Sequence, residues 1–312
     1  MPTKIDETEF ERLVAPHRAE LHAHCYRMLG SVSDADDALQ EALLGAWRGF
    51  AGFEGRSSLR SWLFRITTNA CFALLAARPR RQLATEYQAA AAPDRALDPF
   101  VEGPLWLEPY PEDPHANFEQ RESVELAFVA ALQHLPATQR AALILREVVG
   151  LSATEVAALL DTSVPSIDSA LQRARKAVAE RVPPQSQQAT LRDLGEAAER
   201  DLVSRFVGAW ESANPAALLE LLAQDVKFSM PPIPSWFDGR DDVVRFFAER
   251  VFATPWELRP MRASGQLAFA CYQGPDFRVG ALNVVTLRGS LIAELSGFLD
   301  PALYRRFRLP ER

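Results

Sequence analysis

The side chains best suited to chemistry in this sequence are arginines interleaved with aromatic residues between positions 56 and 81. Rings can stack on the bases of single-stranded nucleic acid while arginines hold its phosphates, so the pattern suits single-strand binding. A helix packed on two sides explains the same composition, and both interpretations stay open here. The face in question carries Arg60, Phe64, Thr67, Thr68, Cys71 and Phe72, opposite a predicted apolar stripe of Leu59, Trp62, Leu63, Ile66, Ala70 and Leu74.

Metal and cofactor chemistry is not indicated by the sequence. His22, His24 and Cys25 are neighbours in the chain, but residues two apart on a helix point to different faces, and the paired Cys/His spacings of zinc sites are missing. The cysteines at 25, 71 and 271 are widely separated in apolar surroundings. We therefore predict buried thiols, with no disulfide framework, no metal and no cofactor.

Acid and base groups for catalysis are equally sparse. Asp225, Asp238 and Glu294 are the candidates in the C-terminal part, and none has a companion whose role the sequence reveals. We predict no catalytic residue and no enzyme.

Length and charge limit the classes of protein that remain. At 312 residues the chain exceeds the size of a single core, so two or three domains are expected. A net charge of −7 argues against a protein that coats nucleic acid, so DNA binding must be local or assisted by a partner. Without a signal peptide or a membrane-spanning apolar run, we expect a cytoplasmic protein with no membrane partner.

The organisation of the chain follows from its composition. Helical periodicity covers residues 1–80, and seven of the 22 prolines then fall between Pro79 and Pro114, among many acids. This predicts an extended acidic linker over 81–118. Helical patterns return over 119–182, a second linker covers 183–194, and residues 195–312 read as helices followed by alternating strands. The predicted fold class is multidomain: two all-α domains and a C-terminal α+β domain.

The helix that begins at Asp34 has one continuous apolar stripe. Its opposite face carries Asp37, Gln40, Glu41, Leu44 and Arg48. An exposed leucine among polar residues suggests a surface for a partner. A solvated helix face is the alternative.

The second helical part contains a predicted helix-turn-helix. Ser152-Ala153-Thr154-Glu155 is a capping box that begins a short helix, and a tight turn at Asp161-Thr162 leads to a second one. Arginine and lysine can contact guanine or phosphate, and glutamine can pair with adenine. Outside its apolar stripe the second helix offers Ser166, Ser169, Gln172, Arg173 and Lys176.

The first helical part resembles region 2 of sigma-70-type factors, and more narrowly the extracytoplasmic-function group. The match is carried by Asp34-Ala35-Asp36-Asp37-Ala38-Leu39-Gln40-Glu41, Trp47, Leu59-Arg60-Ser61-Trp62-Leu63-Phe64-Arg65-Ile66 and Asn69. The resemblance implies that Asp37, Gln40, Glu41 and Leu44 dock on the clamp helices of the largest polymerase subunit. It also implies that the Trp62 helix and the preceding loop melt and read the −10 element, through Phe53, Arg56, Arg60, Phe64, Asn69 and Arg78. Ala73 departs from the acid that relatives often place there.

The second helical part resembles region 4.2 of the same family. The match runs through Leu135-Pro136, Arg140, Leu145-Arg146-Glu147, Gly150, Glu155-Val156-Ala157, Leu160 and Leu171-Gln172-Arg173-Ala174-Arg175. It implies that the five residues on the exposed face of the last helix read the −35 element. It also implies a contact with the flap of the second-largest polymerase subunit.

The C-terminal part is similar to SnoaL-like domains of the nuclear-transport-factor-2-like superfamily. The strand and helix order and the run Phe237-Asp238-Gly239-Arg240-Asp241-Asp242-Val243 carry the likeness, and Leu105-Trp106-Leu107-Glu108-Pro109-Tyr110-Pro111 resembles sigma factors fused to such a domain. These cone-shaped folds have a pocket, expected here to be lined by Phe228, Met230, Trp236, Trp256, Tyr272 and Asn283. Aromatic residues at the core of a fold more often serve packing than ligand binding, so a packed core is the alternative.

The sequence is thus interpreted as a sigma factor that binds polymerase core and promoter DNA and is modulated in cis by its last domain. An unknown small ligand or an anti-sigma protein is a further expected partner. The protein would be associated with the nucleoid when bound to polymerase. The alternatives are a SnoaL-type cyclase or isomerase with a DNA-targeting module, and a free-standing helix-turn-helix repressor. The repressor leaves the acidic helix without a use.

Overall fold

The computed structural model describes residues 6–101, 103, 105–112 and 118–311, and omits the side chains of 118 and 119. The chain forms two compact units: a helical unit of Met1–Arg81 with Leu126–Pro183, and a mixed unit of Gln82–Glu125 with Pro184–Arg312. No helix in the described ranges is long and apolar enough to cross a membrane. The α-helices, in chain order, are α1 Glu7–Val14, α2 Arg18–Leu29, α3 Val32–Gly49, α4 Leu59–Ala77, α5 Ala84–Tyr87, α6 Phe118–Glu122, α7 Leu126–Gln133, α8 Ala137–Leu143, α9 Ala153–Leu159, α10 Val164–Ala179, α11 Gln187–Leu194, α12 Glu196–Glu211, α13 Pro215–Leu219, α14 Arg240–Glu249 and α15 Pro301–Arg306.

The helical unit begins with a bundle whose helix ends are set by local sequence. Helix α2 ends at Gly30, which adopts a φ of 71° that glycine tolerates without strain. The Ser31 side chain caps α3 and the Ser58 side chain caps α4, each accepting a bond from the backbone N–H three residues on. The predicted apolar stripe of α3 is buried along Ala35, Ala38, Leu39, Ala42 and Ala46.

Helix α4 corrects one sequence interpretation, because both of its faces are packed. Phe64, Thr67, Thr68 and Cys71, which we placed on the nucleic-acid face, are at most 1% exposed. The His24 ring packs edge-on against Phe64 at 5.2 Å, and its Nε2 lies 3.0 Å from Thr68 Oγ1. Burial lowers the pKa of His24 to about 3, so the ring is neutral in this core. The packed-helix alternative therefore describes most of this face.

The remainder of the helical unit contains the expected helix-turn-helix, α9 and α10. The capping box forms: Ser152 Oγ accepts from the Glu155 N–H, and the Glu155 carboxylate accepts from the Ser152 N–H at 2.8 Å. Helix α10 starts at an N-cap on Ser163 with Pro165 in its first turn, where proline costs no hydrogen bond. Helix α8 continues as a π-helical turn over Ile144–Val148.

Arg140 joins the two halves of the helical unit. Its side chain is almost fully buried and donates to the carbonyl oxygens of Met28, Gln133 and Leu135 and to Gln133 Oε1 at 2.7 Å. Burial lowers its pKa to about 10, which leaves the guanidinium charged near neutral pH. Its donors thus satisfy carbonyl groups at the C-terminal ends of α2 and α7, which have no partner within their helices.

The mixed unit is built on one six-stranded sheet of order β2-β1-β6-β5-β4-β3. β1 and β6 pair in parallel, and the other neighbours are antiparallel. Phe206, Phe228, Phe247 and Phe269 belong to the large apolar core that the sheet shares with α12 and α14. The strands are β1 Leu222–Met230, β2 Ile233–Asp238, β3 Trp256–Ala263, β4 Gln266–Gln273, β5 Arg278–Arg288 and β6 Leu291–Phe298.

We expected an extended linker over 81–118, but its described residues from 82 to 112 are folded onto this sheet; 113–117 lie outside the described residues. We call residues 82–112 the strap. Along edge strand β2, the backbone N–H of Ala91 donates to Trp236 O at 2.8 Å, and that of Val101 donates to Pro232 O at 3.0 Å. At the other edge, Pro111 bridges to Ala263 at the end of β3. The strap docks because exposed strand edges need partners and because it carries apolar side chains such as Trp106 and Leu107, which are buried.

The second expected linker, 183–194, is also structured. It contains α11, whose Gln187 and Leu191 are buried in the mixed unit. The backbone N–H groups of Gln187 and Gln188 donate to the Glu125 carboxylate at 2.9 Å each. Burial nevertheless raises the pKa of Glu125 to about 7.

Replacing Arg140 with methionine should destabilise the helical unit strongly. The variant keeps an apolar stem but leaves several buried carbonyl groups without donors, at a cost of about 1–3 kcal/mol for each unsatisfied group. Chemical denaturation followed by circular dichroism measures the change in the free energy of unfolding. Arg181→Met, at a solvent-exposed arginine, is the matched control. Equal stability of the two variants would contradict the role given to Arg140.

Candidate functional site

The four residues expected to bind polymerase core share one exposed face of α3. Asp37, Gln40, Glu41 and Leu44 all lie on the surface, and Leu44 is 40% exposed. Beside them, a groove of about 370 Å³ runs between α1 and α3. Its apolar side chains are Phe10, Leu39, Leu43, Leu44 and Trp47, and its polar ones are Glu7, Glu11, Arg18, Asp36 and Gln40. The arrangement offers an apolar strip rimmed mainly by acids, which suits a basic, amphipathic partner helix.

Arg78 connects this acidic face to the end of α4. Its guanidinium pairs with the buried Asp34 and lies 3.3 Å from Asp37. Arg81 also reaches Asp34, at 2.6 Å. Arg78, which we expected to contact −10 DNA, is therefore engaged with carboxylates of α3 in this structure.

The other residues expected at the −10 element divide by accessibility. Arg56 and Asn69 are exposed, and Arg56 pairs with Glu54 at 2.7 Å. Phe53 is partly buried, with its ring 4.9 Å from that of Trp62. Phe64 is in the core and cannot stack on a base in this conformation. The error has a simple cause: periodicity identified one buried face of α4, but packing from a second side buried the other.

Arg60 and its neighbours face the helix-turn-helix within the helical unit. Arg60 donates to Glu20 and to the Val149 carbonyl, the latter at 2.9 Å. Ser61 Oγ donates to Glu155 at 3.2 Å, and Arg65 lies 3.4 Å from Asp161. The N-terminal half of α4 is thus bonded to the loop and helix that precede α10. Sequence periodicity gave no signal for this contact, because it joins residues almost ninety or more positions apart.

The candidate −35 surface is accessible. Ser166, Ser169, Gln172, Arg173 and Lys176 are all exposed on α10, while Ile167, Ala170, Leu171 and Ala174 are buried beneath them. Among the described residues, Arg173 and Lys176 have no ion-pair partner, whereas Arg175 pairs with Glu147. Unpaired cations on an exposed helix face can contact phosphate and guanine.

The mixed unit contains a cavity of about 370 Å³. Four of the six expected pocket residues line it: Phe228, Met230, Trp256 and Asn283. Trp236 lies under the strap and donates from Nε1 to Gln88 O at 2.8 Å. Tyr272 is also outside the cavity, with Arg259 stacked over its ring at 4.3 Å. The expectation for these two residues is corrected, because strap docking and the guanidinium cover their rings.

Sequence reasoning missed other residues that line this cavity, among them Leu97 and Phe100 of the strap and the aromatic Trp210 and Phe246. For the two strap residues, apolar side chains within an otherwise polar linker were the available signal. Arg250 and Gln273 are further lining residues that were not expected, and no carboxylate or imidazole lines the cavity in the described residues. Asp225 pairs with Arg288 and does not line the cavity. Burial raises the pKa of Glu294, which also lies outside the cavity lining. The enzyme alternative therefore lacks an acid or base in the pocket.

Comparisons with known proteins agree along the whole chain. Family models of Sigma-70 region 2, Sigma-70 region 4 and the SnoaL-like domain match residues 13–81, 125–178 and 203–295. The ECF RNA polymerase sigma factor SigG of Mycobacterium tuberculosis is 39% identical over 315 residues, covering 97% of this chain and 84% of that protein. The ECF RNA polymerase sigma-E factor of Escherichia coli is 32% identical over 182 residues, covering 58% of this chain and 90% of that protein.

A solved structure shares the complete fold. The crystal structure of the Mycobacterium tuberculosis extracytoplasmic function sigma factor SigJ matches 98% of this chain and 100% of its own, with a TM-score of 0.63 and 22% identity. The multidomain architecture predicted from the sequence, two helical sigma domains and a C-terminal α+β domain, is confirmed. With 39% identity to SigG across nearly its full length, the chain belongs to the extracytoplasmic-function RNA polymerase sigma factors, in a form that carries a SnoaL-like domain.

Proposed function

We propose that this sigma factor is closed when free and must open to read a promoter. The observation that carries the proposal is a pair of bonds from α4: Arg60 donates to Val149 O just before the helix-turn-helix, and Ser61 donates to Glu155 in its first helix. In the proposed open state, α3 docks on the clamp helices of the largest polymerase subunit. The exposed side chains of α4 and its preceding loop then read the −10 element, and α10 reads the −35 element.

The contacts from α4 to the residues before α10 are the ones that a partner breaks most easily. They lie at partly exposed side chains, unlike those of the buried Arg140, and each hydrogen bond of this kind contributes only about 0.5–1.5 kcal/mol. A partner that binds the open form better shifts the population by its difference in affinity for the two forms. Polymerase core, with contacts to the acidic face of α3 and through the flap of its second-largest subunit, is the partner we propose.

The strap supports a role for the SnoaL-like domain in regulation. Region 2 ends at Arg81 and region 4 begins near Leu126, so the chain that joins them is held in the mixed unit. A free chain can extend by up to about 3.3–3.6 Å per residue, whereas a docked chain keeps the distance between its two ends fixed. We infer that docking of the strap restricts how far the two DNA-reading regions can separate, and that the domain inhibits transcription until the strap is released.

The proposed setting follows from these partners. A polymerase subunit acts in the cytoplasm, and promoter binding with polymerase places it on the nucleoid. An anti-sigma protein that covers the acidic face of α3 would provide a second level of control.

Core binding should depend on the charge of the α3 face. Replacing both Asp37 and Glu41 with arginine should abolish copurification with polymerase core. The acidic face attracts a basic partner surface, and the arginines would repel it. Helical content, measured by circular dichroism, should not change. Asp241→Arg with Asp242→Arg makes the same charge change on the mixed unit and serves as the control. Copurification that survives the α3 reversal would remove the docking proposal.

Promoter choice at −35 should depend on Arg173. Its replacement with alanine should cost about 1–3 kcal/mol at one base position and relax the preference there. Lys176→Ala, expected to lose only a phosphate contact, should instead weaken binding evenly. Binding affinities for a library of −35 sequences distinguish the two patterns. If Arg173→Ala weakens binding to all sequences by the same factor, Arg173 contacts phosphate and does not read a base.

Releasing the strap should raise transcription. Trp236→Ala removes the bond to Gln88 and the contact with Trp106 in the small cluster beneath the strap. Run-off transcription with purified core should increase for this full-length variant and for residues 1–182, once circular dichroism shows that each is folded. Leu291→Ala, at an exposed site away from the strap, is the control. Activity equal to that of the unaltered chain at several promoters would contradict regulation in cis.

A further inference from the structure

The cavity of the mixed unit has the size and lining of a small-molecule site. Its volume of about 370 Å³ lies within the range of ligand pockets. Aromatic side chains of Trp210, Phe228, Phe246 and Trp256 line it, and such walls favour a flat apolar molecule. Gly280 helps to keep the space open, because a Cβ there would lie 3.3 Å from the Trp256 ring.

Asn283 places an unused amide in this apolar cavity. The residue is 1% exposed, and its Nδ2 has no hydrogen-bond partner among the described residues. Gly297 leaves room for the amide, because a Cβ there would lie 2.8 Å from Asn283 Oδ1. An unsatisfied buried amide is costly and calls for an explanation. A hydroxyl or carbonyl group of a ligand would satisfy it.

Arg250 supplies a charged group at the solvent side of the cavity, whereas Asn283 supplies a neutral amide at its buried side. It lines the same cavity from the end of α14 but is exposed, so it lies toward the solvent side while Asn283 lies deep. No ion pair engages Arg250 among the described residues, and no carboxylate lines the cavity with it. A free guanidinium beside an apolar cavity favours a carboxylate, which it can bind through two parallel hydrogen bonds.

We propose that the SnoaL-like domain binds a small carboxylic acid with a flat apolar body and a hydroxyl or carbonyl group at its far end. The carboxylate pairs with Arg250, the body packs between the aromatic walls, and the far group bonds to Asn283. Leu97 and Phe100 of the strap close over the body. The link to transcription rests on the proposed function, since the ligand would act by stabilising the docked strap.

Binding of 6-hydroxy-2-naphthoic acid to the full-length protein tests the ligand class. This probe joins a carboxylate and a hydroxyl across a naphthalene body. In a titration followed by calorimetry, 2-naphthol, which lacks the carboxylate, should bind about tenfold or more weakly, as expected for loss of a charge-assisted hydrogen bond. The acid without the hydroxyl, 2-naphthoic acid, should bind severalfold more weakly. No binding of the probe, or equal binding of all three, would overturn the proposal.

Two variants assign each end of the ligand. Arg250→Gln should remove the preference for 6-hydroxy-2-naphthoic acid over 2-naphthol, and Asn283→Leu should remove its preference over 2-naphthoic acid. Arg245→Gln is the matched control, because Arg245 lies on α14, the helix that ends directly before Arg250, but pairs with Glu249 at 2.8 Å and does not line the cavity. Arg250 is exposed, so its replacement tests the site even if Asn283→Leu fails to fold. Preferences unchanged in Arg250→Gln would overturn the assignment.

Hydrogen exchange tests the closure by the strap. The amides of Asp98 and Val101 donate to Ser235 Oγ and Pro232 O. They should exchange severalfold more slowly with the probe bound, and Phe100→Ala should reduce this protection. Binding without slower exchange would overturn the closure. The transcription result for Trp236→Ala does not depend on the probe, so a failure of the ligand proposal and a failure of regulation in cis are separate outcomes.

Discussion

The docking of the strap on both edges of one sheet is the constraint on which this architecture depends. Strand β2 and the end of β3 would otherwise present open edges, which attract further strands. The strap covers them with backbone bonds: the N–H groups of Ala91 and Val101 donate along β2, and Tyr110 O accepts from the Ser264 N–H at the end of β3. The same segment is the covalent connection between regions 2 and 4. The segment that satisfies the sheet edges is therefore also the one that connects the DNA-reading regions, and the proposed regulation in cis needs no separate binding surface.

The helical unit balances two kinds of contact. Arg140 is buried and satisfies several carbonyl groups, so it stabilises the packing strongly. The bonds from Arg60 and Arg65 are partly or fully exposed and contribute little each. The proposed opening uses both kinds of contact, because the halves associate in the free protein and the weaker contacts are the first to break when polymerase and promoter bind. In the proposed open state, DNA would replace the partners that Arg60 has in this structure.

The proposed ligand of the cavity would affect the docking of the strap. Leu97 and Phe100 contribute to its lining, so the occupancy of the cavity and the position of the strap are linked by direct contact. By reciprocity, a ligand that stabilises the docked strap is itself bound more tightly when the strap is docked. The absence of an acid or base among the described lining residues suits such a binding role better than turnover.

The sequence by itself determined the elements whose signals are local. The capping box at Ser152, the apolar face of α10 and the exposed acids of α3 needed only periodicity and neighbouring residues, and the family motifs gave the order of the domains. Tertiary structure decided what depends on distant partners. Phe64 is buried because a second layer packs on α4. Trp236 does not line the pocket, because its ring lies under the strap. The strap itself has linker composition, yet it docks because two sheet edges, formed by strands more than a hundred residues away, need hydrogen-bond partners that composition cannot reveal.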